Sequence, residues 1–232
     1  KYGADINAKN KMGYTAYDYA TNDDIKELLS QTGGSSISTN ELVIKYATEG
    51  NDYQLKQLLE NGANANAKDS GVQTALMRAT QVGHLEICQL LIDYGADVNA
   101  KAGFDWTALM SAVNRDNLEI CKLLINHGAD VNAIEYSHGW TALTWAADNG
   151  NLEICKLLID YGADVNAKFL LGGDWTALMS AVNSGNLELC KLLINHGADI
   201  NAKYYDGKTA LMLAAINNNL EICKLLINHG AD

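Results

Sequence analysis

The sequence predicts an all-α solenoid, a stack of helix-turn-helix units with hairpin loops projecting from one side. Three observations lead there. The phrase TALM or TALT begins at Thr74, Thr107, Thr141, Thr176 and Thr209, at intervals of 33, 34, 35 and 33 residues. Self-similarity at such a period marks a repeat architecture. Each phrase leads to a second one, LEICKLLINHGADVNA in the copy beginning at Leu118, with relatives at Leu85, Leu152, Leu187 and Leu220. Finally, the stretch DWTALMSAVN recurs identically at 105–114 and 174–183, so the units arose by copying.

Each unit reads as helix, turn, helix and extended loop. The Thr is placed to cap the first helix, its hydroxyl accepting from an orphan amide of the opening turn. Behind it, apolar and small residues such as Ala108, Leu109 and Ala112 pack inward. In the second helix Leu118, Cys121, Leu124 and Ile125 form one apolar stripe, with Glu119 and Lys122 three apart on the solvent side. Gly128 should end that helix, because Gly takes a positive φ without a Cβ penalty. Asp130 and Asn132 follow as turn formers able to bond backbone. The units fall at about 40–67, 68–100, 101–133, 134–167, 168–202 and 203–232.

The stretch 40–67 has the second phrase but no TALM, with Leu42 where Thr would stand. Such a divergent, more polar unit is expected at the start of an array. Residues 1–34 read as an end-cap-like partial unit with a shortened second helix, followed by a Gly/Ser-rich link at 35–39. Counted with the two preceding glycines, the seven residues GGSSIST reach about 25 Å when extended, whereas six units at about 10 Å each span about 60 Å. The piece therefore does not cap the far end of its own array. It either stacks before the unit at 40–67 or caps another molecule, head to tail.

Composition narrows the function. The 232 residues are 48% apolar and 19% charged, and no apolar run reaches the 18 or so residues that suggest a membrane span. The first residues lack the order of a signal peptide and an initiator Met, so the chain reads as a fragment of something longer. A net charge of -11 with only 17 Lys and Arg, two of them Arg, excludes a nucleic-acid surface. A basic or neutral protein partner fits better.

The repeated TALM, LL and GAD(V/I)NA phrases resemble the ankyrin-repeat family, whose 33-residue pattern runs TPLHxAxxxGH and then xxxLLxxGADVNA. The resemblance covers about 68–232 closely and 1–67 more loosely. It implies an ankyrin α-solenoid acting as a non-catalytic protein-protein interaction module, through hairpin loops and the concave face of the first helices. The family's Pro is Ala in every unit and its His is Met or Thr, but Ala is the best helix former and the helices stand.

Candidate chemistry outside that frame is weak. Cys88, Cys121, Cys155, Cys190 and Cys223 take one slot in successive units, a place where Cys serves as a small buried hydrophobe. Units about 10 Å apart exceed the disulfide limit of roughly 7 Å between Cα atoms, and the spacing resembles no zinc motif. Free thiols favour a reducing compartment, the cytoplasm, or a host cytosol for a secreted effector. His84, His127, His196 and His229 are spread one per unit, and Ser111 and Ser180 were copied with their surroundings. The sequence calls for no enzyme, metal or cofactor.

Residues that recur are explained by the fold, so function should sit where units differ. They differ in the loops before each Thr, which hold Phe104, Trp106, Tyr136, Trp140, Phe169, Leu170, Leu171, Trp175, Tyr204 and Tyr205, while Trp145 lies on a first helix. The resemblance implies that the residue before Thr and an exposed pair on the first helix belong to the binding surface. That carries over to Gln73, Trp106, Trp140, Trp175 and Lys208, and to the pairs Gln81 and Val82, Asn114 and Arg115, Asp148 and Asn149, Asn183 and Ser184, Ile216 and Asn217. Trp is the residue most enriched at interface hot spots. Two roles for the loop Trp residues stand side by side: contact with a partner, or staples across neighbouring units. Three further readings of the whole chain are binding module, head-to-tail assembly through residues 1–34, and targeting array of a larger protein.

Overall fold

The computed structural model describes residues 5–10, 14–31, 38–168 and 175–232. Helices α1 (Ala16–Tyr19) and α2 (Asp23–Gln31) precede a regular series of pairs. The pairs are α3 (Thr39–Glu49) with α4 (Asp52–Glu60), α5 (Ala75–Val82) with α6 (Leu85–Asp93), and α7 (Ala108–Asn114) with α8 (Leu118–Asn126). Next come α9 (Ala142–Asp148) with α10 (Leu152–Asp160), α11 (Ala177–Asn183) with α12 (Leu187–Asn195), and α13 (Ala210–Ile216) with α14 (Leu220–Asn228). First helices pack on neighbouring first helices and second helices on second, giving two helical layers. Each unit touches chiefly its neighbours, as in a solenoid.

Local chemistry sets each boundary. Thr74, Thr107, Thr141, Thr176 and Thr209 accept from the amides of Met77, Met110, Thr144, Met179 and Met212 at 3.2, 3.3, 3.3, 3.3 and 3.4 Å. The second helices are capped as well, by Asn51, Asn117, Asn151, Asn186 and Asn219, which accept from the amide three residues on. Replacing such a cap by Ala costs about 1 kcal/mol. At the other end of α8, Gly128 takes φ 84°, as the sequence required. His127 Nδ1 lies 2.9 Å from the Leu123 carbonyl in the same turn, so this His serves the helix end.

The repeated Asn after each GAD ties one unit to the next. Asn99 Nδ2 donates to the Gly128 carbonyl at 2.9 Å, and its Oδ1 accepts from the Asp130 amide at 2.8 Å. Asn66, Asn132, Asn166 and Asn201 make the same two bonds to the unit that follows. The Asp takes the local half of the job: Asp130 Oδ1 accepts from the Asn132 amide at 2.9 Å. Repeating GADVNA therefore builds a ladder along one edge of the stack.

Between the layers the core is Leu, Ile, Ala and Cys, including Leu76, Leu109, Leu143 and Leu178 at one repeated slot. Cys88, Cys121, Cys155 and Cys190 are fully buried and free, but Cys223 is only half-buried. The expectation of five buried thiols holds for four, because no described unit packs beyond α14. For the same reason Met212 is 50% exposed, while its counterpart Met179 is 0% exposed. Among the described residues no helix is long and apolar enough to cross a membrane.

Three expectations change. The expected hairpins amount, among the described residues, to isolated antiparallel bridges, Lys68 with Thr74 and Ile134 with Thr141. The shortened helix of residues 1–34 is the first, of 4 residues, while α2 has 9 like its counterparts. Helix α3 starts at Thr39 inside the expected link, because Ser38 and Glu41 form a reciprocal cap. Tyr14 rests on α3 of its own chain, 6.4 Å from the Tyr46 ring, with Lys45 Nζ 5.3 Å from its centroid.

Candidate interaction surface

Loop tips project beside the first helices, and the tips before α5, α7 and α9 differ in what organises them. In the tip before α5, the Asp69 carboxylate accepts from the amides of Gly71 and Gln73 at 2.8 and 3.0 Å, and pairs with Arg78. Burial opposes ionisation of Asp69, but Arg78 and those amides outweigh it and hold the carboxyl below its usual range. Before α7, a short 3-10 turn at Gly103–Asp105 puts both Phe104 and Asp105 at φ 59°. Non-glycine residues held there store strain, which concentrates at functional sites. Phe104 is left 72% exposed.

The tip before α9 is built around a buried acid that the sequence did not single out. Glu135 has no exposed surface, yet accepts from the Ser137 hydroxyl and amide and from the amides of His138 and Trp140, with His138 Nδ1 at 3.3 Å. Burial pushes its pKa up, but these bonds outweigh it and hold the carboxyl below its usual range. The Tyr136 amide donates to the Phe104 carbonyl at 2.9 Å, joining this tip to the one before it.

The loop Trp residues are half-buried. Trp106 Nε1 donates to Ser111 Oγ at 2.8 Å, and Trp175 Nε1 to Ser180 Oγ at 2.8 Å. Each ring also meets the next unit edge to face: Trp106 lies 5.4 Å from Trp145, and Trp175 lies 5.2 Å from Tyr204. Trp140 meets Trp145 edge to face at 4.7 Å within its own unit, and His138 lies 5.8 Å from Trp145. Trp145 Nε1 is buried without a hydrogen-bond partner. Aromatic pairs of this geometry contribute about 0.5–1.5 kcal/mol each beyond area burial, so these rings brace the stack.

A groove of about 350 Å³ opens between the tips before α5 and α7. It brings together Gln73, Gln81, Phe104, Trp106, Asn114 and Arg115 of the expected surface, with Ser111 and Ser137 beside them. Asn114 and Arg115 are exposed. Gln73 Oε1 is buried there with no partner.

The other expected residues spread along the same side. Tyr136 and Tyr205 are 56% and 76% exposed, and Asn183 is exposed. Asn149 donates to the Val113 carbonyl at 3.2 Å and Ser184 to the Ala147 carbonyl at 3.2 Å, so both also join units. Burial pushes the Asp148 carboxyl up, and Lys208 pairs with Asp206 at 2.6 Å. Phe169, Leu170 and Leu171 lie outside the described residues. Among the described residues no group of three or more His, Cys, Asp and Glu is placed to hold a metal ion.

Stacked helix pairs with tips on one side define a helical-repeat protein. The chain belongs to the ankyrin-repeat family: the family profile described as ankyrin repeats in three copies matches residues 22–102, 100–169 and 167–232. Ankyrin repeats are generally protein-protein interaction modules. A comparison with curated proteins found no match.

Proposed function

We propose that this chain is a non-catalytic binding module that holds a protein partner along its loop tips and first helices. What carries the reading is the groove beside α5 and α7, where Gln73, Gln81, Trp106, Asn114 and Arg115, chosen for their repeat positions, line one concave space with Phe104. Exposed Phe104, Tyr136 and Tyr205 add rigid apolar area on the same side, the residue type from which hot spots are drawn. Half-burial of Trp106, Trp140 and Trp175 supports a double role, in which an indole braces the stack with one edge and offers the other.

Residues 1–34 are an end piece in this reading, and their Tyr14 rests on α3. Head-to-tail assembly through them is the weaker alternative, since Tyr14 already packs on Tyr46 of its own chain. Free thiols suit a reducing cytoplasmic compartment.

The test is affinity capture with the wild-type chain and with a Phe104→Ser, Tyr205→Ser variant. Both side chains are largely exposed, so each change should alter stability by no more than about 0.5 kcal/mol. Proteins captured by the wild type and lost from an equally stable variant support the surface. Identical capture by both sinks it.

A further inference from the structure

The groove between the tips before α5 and α7 differs in charge from the chain around it. The chain carries a net charge of -11, yet no Asp or Glu lines this groove and Arg115 does. The chain's other arginine, Arg78, is committed to Asp69. Arg115 forms no ion pair among the described residues. Its neighbour Asp116 instead accepts from Asn149 and Asn151 of the following unit, at 3.4 and 3.3 Å. Arg115 shares the groove lining with Gln73, Gln81 and Asn114, which carry amide side chains, and with the rings of Phe104 and Trp106.

We propose that this groove recognises a carboxylate: an Asp or Glu side chain of the protein partner, followed or preceded by an apolar residue. The proposal rests on the interaction-surface reading and specifies what that surface selects. A guanidinium presents a planar fork that matches a carboxylate bidentately. A lone arginine matches one negative charge, whereas a phosphoryl group of nearly two charges calls for a cluster of cations. The apolar neighbour lies against Phe104 and Trp106 while the acid reaches Arg115. The unpartnered Gln73 amide oxygen accepts a backbone N–H of the bound segment. An acidic surface elsewhere repels the same segment, which gives the groove selectivity as well as affinity.

The probe is a displayed library of short random peptides, selected on the intact chain and then measured on three variants. Arg115→Gln removes the fork, Phe104→Ala removes an exposed groove wall, and Lys122→Gln removes a charge on the second-helix layer as a control. The expected result is enrichment of Asp or Glu beside an apolar residue. Affinity should fall about tenfold in Arg115→Gln, as suits one charge-assisted contact, and hold in Lys122→Gln. Peptides that Phe104→Ala weakens and Arg115→Gln leaves unchanged would overturn the carboxylate proposal and keep the surface. Peptides indifferent to both groove variants, or recovery of no peptide at all, would overturn both.

Discussion

Trp106 and Ser111, five residues apart, are joined by a 2.8 Å bond from the indole Nε1 to the hydroxyl. Trp175 and Ser180 repeat it at 2.8 Å. The bond latches a loop tip onto the first turn of the helix it precedes. Both hydroxyls are buried, so Ser111→Ala with Ser180→Ala should leave two indole N–H groups short of a partner, costing about 1 kcal/mol each. Urea unfolding followed by far-UV circular dichroism measures the cost. Latches of no consequence would leave the midpoint at the wild-type value.

The same contacts revise what Trp substitution should do. Exposed side chains would cost under about 0.5 kcal/mol each, but Trp106 and Trp175 touch Trp145 and Tyr204 of the next unit. Changing Trp106, Trp140 and Trp175 together to Ala should lower stability by at least about 2 kcal/mol in total, as lost aromatic pairs and half-buried area require. Loss of partner affinity by roughly thirtyfold or more in a background restabilised elsewhere separates contact from bracing.

How much of this was written in the sequence depends on the reach of each interaction. Thr107 capping Met110 spans three residues and follows a known pattern, so the helix starts were legible. Asn117, Asn151, Asn186 and Asn219 cap the second helices by the same rule, and the Asn-Leu-Glu run that begins at each of them is the sequence signal for it. The Asn99 ladder was half legible: a turn former was expected, but its partners lie 29 and 31 residues away and only stacking reveals them. The expected surface residues Gln73, Phe104 and Arg115 come from three different segments, and their meeting in one groove needed the stack. Glu135 was hidden altogether, since an acid in a polar loop ordinarily faces water.

The Asn ladder makes its own test. Asn132 donates to the Gly162 carbonyl at 3.0 Å and accepts from the Asp164 amide at 2.8 Å, two bonds between units made by one side chain. Asn132→Ala should cost about 1–3 kcal/mol. Because units couple mainly to their neighbours, hydrogen exchange should rise first around α8 and α10. The exposed Asn195→Ala serves as the control. Equal losses in the two variants would deny the ladder a coupling role.

Thiol chemistry should divide the Cys slot in two. Burial pushes the thiol pKa of Cys88 up to about 11, with Thr80 opposing, and that of Cys121, Cys155 and Cys190 up to about 12. A raised pKa keeps the thiol protonated and unreactive below that range, and burial blocks access besides. Native labelling near neutral pH should give one fast adduct, at half-buried Cys223, and four slow ones. After denaturation all five should react. Several fast native adducts would mean that the layers open far more often than a cooperative stack allows.

Glu135 predicts a pH dependence with a definite sign. Its folded carboxyl is held below the usual range by bonds from Ser137, His138 and Trp140 that outweigh burial. A depressed folded pKa means that ionised Glu135 stabilises the fold fully above the unfolded value near 4.3. That contribution fades as pH falls toward the folded value, where both states are protonated. Glu135→Gln keeps the shape but not the charge, so it should destabilise the chain at pH 7 by about 1–3 kcal/mol. At acidic pH the wild type should lose that advantage and approach the variant. The local readout is Trp fluorescence, because Trp140 packs edge to face with Trp145 and its amide is bonded to Glu135. A wild-type-to-variant gap that stays constant from pH 7 down to acid unfolding would show that the buried acid acts through packing rather than charge.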